Sequence, residues 1–458
     1  MVIRIDALKG KKVAVVGLGK SGSSVLKALK ESDAIVYAWD DGEAGRDAVA
    51  SEITPPHVMI EPEKFPWNEI ECLVLAAGIP LTHPVPHRVV GLAKAAHCPI
   101  ICDVELLYLA KPECKFIGIT GTNGKSTTTT LIQHILQSAG RESDVGGNLG
   151  FAALSLQSLS TKGTYVIEMS SYQLDLVDKA HFNTSVWLNI TSDHLDRHGD
   201  IDGYVKAKKH IFNHQNKHDT VAIGVDDDYS RNVYEALLKD GEVGHVVPVS
   251  CKQVVKAGVS VVAGVVIDDS SEEKREFLLG DLPYLPGNHN AQNIAAAYVA
   301  CRSVGVEAEK IIAAVQSFKG LRHRIQMVRE KNGVKFVNDS KATNADAAEK
   351  ALLAYDEVYW ILGGKAKDGG IEALTPYFNK IKKAYLIGEC EPEFAKTLEG
   401  KAEYIRCETL ANATKLAAKD ALDAGKGVVL LSPACASFDQ WRSFEARGDA
   451  FCEIVESL

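Results

Sequence analysis

An α/β fold in three domains is the architecture the sequence predicts, on three observations. Short apolar runs rich in Val and Ile alternate with helical stretches along the chain, as in mostly parallel sheets with helices on both faces. Two Gly-rich turns, Gly17-Leu18-Gly19-Lys20-Ser21-Gly22 and Gly118-Ile119-Thr120-Gly121-Thr122-Asn123-Gly124-Lys125-Ser126, each follow an apolar run and open a helix. The length of 458 residues suits three domains at roughly 150 residues each. The tandem α/β units show no short-period repeat, which excludes solenoids.

The first domain is expected over residues 1–110. Val13 to Val16 is its first strand, the Gly-rich turn follows, and a helix runs from near Ser23 to Lys30. Ile35 to Trp39 is a second strand ending at Asp40-Asp41, and Cys72 to Leu75 is a third, ending in the loop Ala76-Ala77-Gly78-Ile79-Pro80. This is the plan of a Rossmann-like nucleotide fold, with a diphosphate near the glycines and a carboxylate at the end of the second strand for a sugar or base. The G-x-G-x-x-G pattern alone leaves a dinucleotide such as NAD open.

The second domain is expected over 111–320. Phe116 to Ile119 is a strand feeding the second Gly-rich turn, whose amides, Lys125 and following helix suit a nucleotide phosphate, with Ser126 placed for Mg²⁺. Tyr165 to Ile167 is a strand ending at Glu168, and Ser185 to Ile190 is another, ending near His194. Val259 to Val262 and Val265 to Ile267 belong to a meander. In the third domain, 321–458, strands are expected at Val334 to Val337, Val358 to Leu362, Ala384 to Ile387 and Val428 to Leu431, and a helix at Leu410 to Ala424.

Composition narrows the function. The net charge of −9, from 51 basic and 60 acidic residues, argues against a general nucleic-acid or anionic-membrane binder. The start, Met1 to Asp6, carries charge too early for a signal peptide, and no apolar run approaches the roughly 18 residues of a membrane span. Ten cysteines are scattered without a paired framework, which fits reduced thiols in a cytoplasmic protein. Cys435 reads as a small packing residue, not a nucleophile. Glu168, on the strand after the phosphate loop, is placed to hold Mg²⁺ beside Ser126. Tyr204 and Lys208 lie one helical turn apart, and by itself Lys208 reads as a surface lysine between Lys206 and Lys209.

The phosphate loop departs from G-x-x-x-x-G-K-[ST], because Ile119 stands where the first Gly belongs. Its form, together with Glu168-x-Ser-Ser-x-Gln-Leu, Asp193-His194-Leu195-Asp196 and Tyr204-x-x-x-Lys208, resembles the Mur ligase family in the same order and over essentially the whole chain. Three further segments resemble that family: Gly146-Gly147-Asn148-Leu149-Gly150, Pro286 to Asn293, and Gly320-Leu321-Arg322-His323-Arg324. So do Asn338 to Asn344 and Leu431 to Gln440.

The resemblance implies an ATP-dependent amide ligase of cytoplasmic peptidoglycan precursor synthesis. Its substrates would be UDP-N-acetylmuramoyl-L-alanine and D-glutamate, and it would act as a monomer through an acyl phosphate. ATP would meet Gly121, Thr122, Asn123, Gly124, Lys125, Ser126, Thr127, Thr128, Asn290, Arg324 and Asp339. Ser126 and Glu168 would hold one Mg²⁺; Glu168, His194 and a carbamylated Lys208 would hold a second. Lys125, Glu168, His194 and Lys208 would carry catalysis. Leu18, Gly19, Ser21, Asp40, Asp41, Gly78 and Asn148 would contact the UDP-sugar, and Thr343, Lys367, Ser437 and Phe444 the D-glutamate. Ala76-Ala77-Gly78 replaces the family's usual Ser-Pro-Gly, which removes one hydroxyl contact to the UDP-sugar. A sibling ligase using another amino acid, a nicotinamide oxidoreductase and a P-loop switch are the remaining alternatives.

Overall fold

The computed structural model describes residues 2–285, 287–365 and 370–458. Two compact units are present, Met1–Phe318 and Lys319–Leu458. Among the described residues three sheets form, of five, nine and six strands.

The first sheet contains β1 (Lys12–Val16), β2 (Ile35–Trp39), β3 (Val58–Met59), β4 (Ile70–Leu75) and β5 (Ile100–Ile101). Their order is β3-β2-β1-β4-β5, all parallel. The order reverses between β1 and β4, and ligands of open α/β sheets bind at the carboxyl ends of such strands. Here those ends carry the Gly17–Gly22 turn and the 76–80 loop. The helix after β1 spans Lys20–Glu31 and starts three residues before its expected position. Gly22 permits this, since a Cβ there would stand 1.9 Å from the Gly17 carbonyl oxygen.

The second sheet contains β6 (Lys115–Thr120), β7 (Ser143–Gly147), β8 (Thr164–Glu168), β9 (Thr184–Trp187), β10 (Thr220–Gly224), β11 (His245–Ser250), β12 (Val259–Val262), β13 (Val265–Asp268) and β14 (Arg275–Leu278). The order is β14-β13-β12-β11-β10-β9-β6-β8-β7. Strands β7 to β12 are parallel, and β12 to β14 form the expected antiparallel meander. β9 is shorter than the expected 185–190 run. Beyond Trp187 the chain leaves the ladder to brace the phosphate loop, with Leu188 N–H donating to Thr120 O and Asn189 O accepting from Thr122 N–H. Apolar side chains of β6, β8, β9 and β10 are buried against the helices Lys125–Ser138 and Asn288–Ser303.

The second unit holds β15 (Gln326–Lys331), β16 (Val334–Asn338), β17 (Val358–Gly363), β18 (Ile381–Ile387), β19 (Tyr404–Glu408) and β20 (Gly427–Leu431), in the order β15-β16-β20-β17-β18-β19. Only the β15–β16 pair is antiparallel. β16, β20 and β17 are neighbours, so the segments after Asn338, Leu431 and Gly363 emerge side by side. The helix Leu410–Ala424 has its expected bounds. Among the described residues no helix is long and apolar enough to cross a membrane.

Candidate functional site

Gly121 and Gly124 hold φ of +144° and +87°, and Gly124 caps the helix Lys125–Ser138. A side chain at 124 would strike Asn293, whose Oδ1 lies 2.2 Å from the Cβ position. Asn293 in turn donates to Asn290 Oδ1 at 3.0 Å, so the segment expected to meet adenine lies against the phosphate loop. Asn189 accepts from the amides of Thr122 (through its carbonyl, 2.8 Å) and Asn123 (through its side chain, 2.9 Å). These two amides therefore shape the loop, while the helix N-terminus beginning at Lys125 presents the positive end of its dipole. Lys125 Nζ donates to the carbonyls of Gly121 and Thr122, both at 2.9 Å. Ser126 is buried and Thr127 half-buried, whereas Thr128 is enclosed, with its hydroxyl unpartnered and its amide donating to Gly124 O.

Glu168 ends β8, two positions short of the loop in register, since Ile119 pairs with it. Its side chain is 2% exposed. Oε1 accepts from Asn148 Nδ2 at 2.9 Å, and Oε2 is buried without a partner. Leaving a carboxylate oxygen so costs about 1–3 kcal/mol or more, which marks a site kept for a cation. Lys208, read alone as a surface residue, is instead 1% exposed. Its Nζ shares the Gly121 carbonyl with Lys125, at 3.0 Å, and lies 4.6 Å over the Tyr204 ring. Burial and then the Lys125 charge hold its pKa well below the usual lysine range, against weaker upward pulls from Asp193 and Glu168. Burial and the neighbouring cation thus disfavour its charged form.

His194 adopts φ +53° and stays exposed, with Nε2 3.6 Å from Asp193 Oδ2. His198, which sequence reasoning passed over, is buried between Tyr172 and Tyr204 and hydrogen-bonds Ser171 Oγ at 2.9 Å. Burial lowers its pKa to about 4, so it is neutral at pH 7 and fixes the loop. Among the described residues no three His, Cys, Asp or Glu side chains converge as a metal cluster. The expected ligand sets contain only two such side chains, Glu168 and His194. The orphaned Glu168 oxygen and the Ser126 hydroxyl are hard donors that fit Mg²⁺.

In the first sheet, Asp40 turns inward: Oδ2 accepts from Leu18 N–H at 2.6 Å and Oδ1 from Gly42 N–H at 2.8 Å. It braces the glycine turn. Asp41 faces outward to His87, Trp39 and Arg88 at 2.8, 2.8 and 3.0 Å, and the His87 contact above all holds its carboxyl below the usual range. Gly19 caps the following helix. The Ser21 hydroxyl bonds Asp103, a buried carboxyl that also accepts from Ala153 N–H at 3.2 Å. Gly78 is exposed.

In the second unit, Asp339 is buried and accepts from Ser432 Oγ at 2.8 Å and Ile325 N–H at 3.1 Å. Arg324 is exposed. Thr343 and Phe444 are half-buried, Ser437 is buried, and Lys341 Nζ lies 5.9 Å from the Phe444 ring. Lys367 and Pro286 lie outside the described residues. Sequence reasoning missed Arg447, which is 1% exposed. It donates to Ser340 Oγ and O at 3.0 and 2.9 Å and to Cys435 O at 3.1 Å, tying the loops after β16 and β20 together. Cys435 is fully buried beside Cys390, Sγ to Sγ 3.3 Å, and its thiol is pushed far up, as befits a packing residue.

Burial raises the Asp339 carboxyl from 3.8 to about 7. Its folded pKa exceeds its unfolded one, so its contribution to stability is full below about pH 4 and is lost as pH rises through about 7. Asp339→Asn should flatten the fall in melting temperature between about pH 4 and pH 7. An equally steep fall in the variant would show that another group titrates there.

Residues 119–301 match the Mur ligase middle domain, and 323–435 the Mur ligase glutamate ligase domain. The UDP-N-acetylmuramoylalanine--D-glutamate ligase of Paramagnetospirillum magneticum is 46% identical over 100% of this chain and 99% of its own. The enzyme of the same name from Rhodospirillum rubrum is 47% identical over 98% and 95%. Among solved structures, the UDP-N-acetylmuramate-alanine ligase of Thermotoga maritima shares the fold, with a TM-score of 0.56, 16% identity, and coverage of 97% and 99%.

Proposed function

The chain belongs to the Mur ligase family, and on that premise we propose that it joins D-glutamate to UDP-N-acetylmuramoyl-L-alanine with hydrolysis of ATP to ADP and phosphate. The observation that carries the chemistry is the convergence of Lys125 and Lys208 on the Gly121 carbonyl beside a strand ending in Glu168 with an unpartnered oxygen. The substrate carboxylate attacks the γ-phosphorus, the β–γ bridging bond breaks, and ADP leaves an acyl phosphate. The amine of D-glutamate then attacks the acyl carbon. Phosphate departs from the tetrahedral intermediate, and the nitrogen loses a proton.

Lys125 swings from its two carbonyls to the phosphates, where its charge offsets that developing on the transferring oxygens. The helix N-terminus at Ser126 and Thr127 holds the nucleotide phosphates, with Asn290 on the adenine side. Ser126, Glu168, His194 and a carbamylated Lys208 would hold two Mg²⁺, which supply further charge neutralisation when bound. Arg324 and Asp339 complete the ATP contacts in this reading. The turn at Leu18, Gly19 and Ser21, with Asp40, Asp41, Gly78 and Asn148, takes the UDP-sugar. In support of domain bounds at 1–110, 111–320 and 321–458, no strand among the described residues crosses one of them. The protein acts as a cytoplasmic monomer on small-molecule substrates. The deciding assay measures ADP release with UDP-N-acetylmuramoyl-L-alanine and each candidate amino acid; release with L-alanine or diaminopimelate but not D-glutamate would overturn the assignment.

D-glutamate presents two carboxylates, which Thr343, Ser437 and Lys367 would meet with hydroxyl and ammonium donors beside Phe444. Removing one donor from a buried acid costs about 1–3 kcal/mol. Ser437→Ala and Lys367→Ala should therefore raise KM for D-glutamate by roughly 10- to 100-fold, with KM for ATP nearly unchanged. A loss confined to ATP would misplace both residues.

A further inference from the structure

Arg197 has no role in the reaction as described, yet it joins the loop after β4 to the loop after β9. Its Nη1 donates to Gly78 O at 3.1 Å, with a longer contact of 3.5 Å from Nη2 to Ala77 O. The guanidinium carbon lies 4.4 Å from the centroid of the Tyr172 ring. That ring is 5.0 Å from His194 and stacks at 5.5 Å on His198. Gly199, which follows, passes close to His83: a Cβ there would stand 3.2 Å from His83 Nε2. The short helix Leu195–His198 is thus held near its C-terminal end, by Arg197 to the first sheet and by His198 to Ser171.

The contacts have a definite mechanical sense. Gly78 is exposed at the carboxyl edge of the first sheet, and its carbonyl is held by Arg197. Residues 76–77 are alanines, which bring no hydroxyl of their own to fix this loop. A guanidinium fork aimed at two successive carbonyls fixes the peptide plane, which a single ammonium cannot do. Its other face, lying on Tyr172, sets the ring that borders His194.

We propose that Arg197 is a positioning residue that couples the UDP-sugar loop to the ATP-side loop carrying His194. Occupation of the 76–80 loop fixes Arg197, Arg197 fixes Tyr172, and Tyr172 confines His194 to its left-handed turn. By reciprocity, ATP bound on the second sheet tightens UDP-sugar binding by the same factor. The inference rests on the reading of residues 76–80 as a UDP-sugar contact.

Calorimetric titration of UDP-N-acetylmuramoyl-L-alanine, with and without Mg²⁺ and a non-hydrolysable ATP analogue, tests it. The wild type should bind the UDP-sugar at least about fivefold more tightly with the analogue present, within the usual range of coupling. In Arg197→Gln that ratio should fall to about 1, while the analogue alone binds with unchanged Kd, which reports an intact second sheet. Arg197→Lys should recover only part of the ratio, and Tyr172→Phe, which keeps the ring, nearly all of it. A wild type without coupling, or an Arg197→Gln ratio equal to the wild-type one, overturns the inference. Failure of the wild type to bind the UDP-sugar at all would overturn the substrate reading as well, which separates the two failures.

Discussion

Glu168→Ala should lose about 10²–10³-fold or more in ADP formation while melting no lower than the wild type. The two halves of that result have one cause. Glu168 is buried at the end of β8, with one oxygen held by Asn148 and the other without a partner among the described residues. A carboxylate in that state opposes folding, because desolvation is not offset by a second bond. Deleting it removes the opposition and at the same time removes the oxygen that would face a cation beside the phosphates. A structural carboxylate behaves in the reverse way, with stability falling and turnover surviving. Lys125→Ala should match Glu168→Ala in activity, since the lost ammonium is the cation at the head of the phosphate-binding helix. Steady-state ADP release and thermal melting decide the matter together; near-normal turnover of folded Lys125→Ala at saturating ATP and Mg²⁺ would remove the loop from the chemistry.

Lys208→Ala should be nearly inactive and should regain part of its activity in formate or acetate. The physical basis is the burial of Lys208 beside Lys125, which lowers its pKa well below the usual range. A neutral amine is the nucleophile that carbamylation needs. The neutral nitrogen adds to CO₂ and releases one proton, giving a carbamate anion that would ligate Mg²⁺ where the protonated amine would repel it. A short carboxylate diffusing into the space left by alanine restores that anion without the covalent link. Wild-type activity should also fall on exhaustive CO₂ removal and return with bicarbonate. Full activity of Lys208→Ala with no carboxylate added would rule the carbamate out.

The two kinds of residue in this site differ in how they could be found. Lys125, Ser126 and the glycines around them were legible because a phosphate loop is local. Strand, turn and helix must follow within a dozen residues, and φ above zero at Gly121 and Gly124 restricts the residue type. The strand ends were legible for a similar reason: Val- and Ile-rich runs mark parallel strands, and ligands sit at their carboxyl ends. The expected 185–190 strand runs past β9 because Leu188 and Ile190 continue its apolar pattern, and only the bonds of Leu188 and Asn189 to the phosphate loop end it.

The sequence by itself determined the α/β class, the phosphate loop and the order of the motifs, all of which depend on neighbours within a few residues. Tertiary structure alone decided that Lys208 is buried and Asp40 faces inward. It also showed that Arg197 and Arg447 hold loops together. Their partners lie far off in the chain, Gly78 119 residues from Arg197 and Ser340 107 residues from Arg447. Apart from the Ser340 hydroxyl, the acceptors are backbone carbonyls. Every residue carries a carbonyl, so such an acceptor leaves no mark in the sequence, and only the fold decides which one a guanidinium will meet.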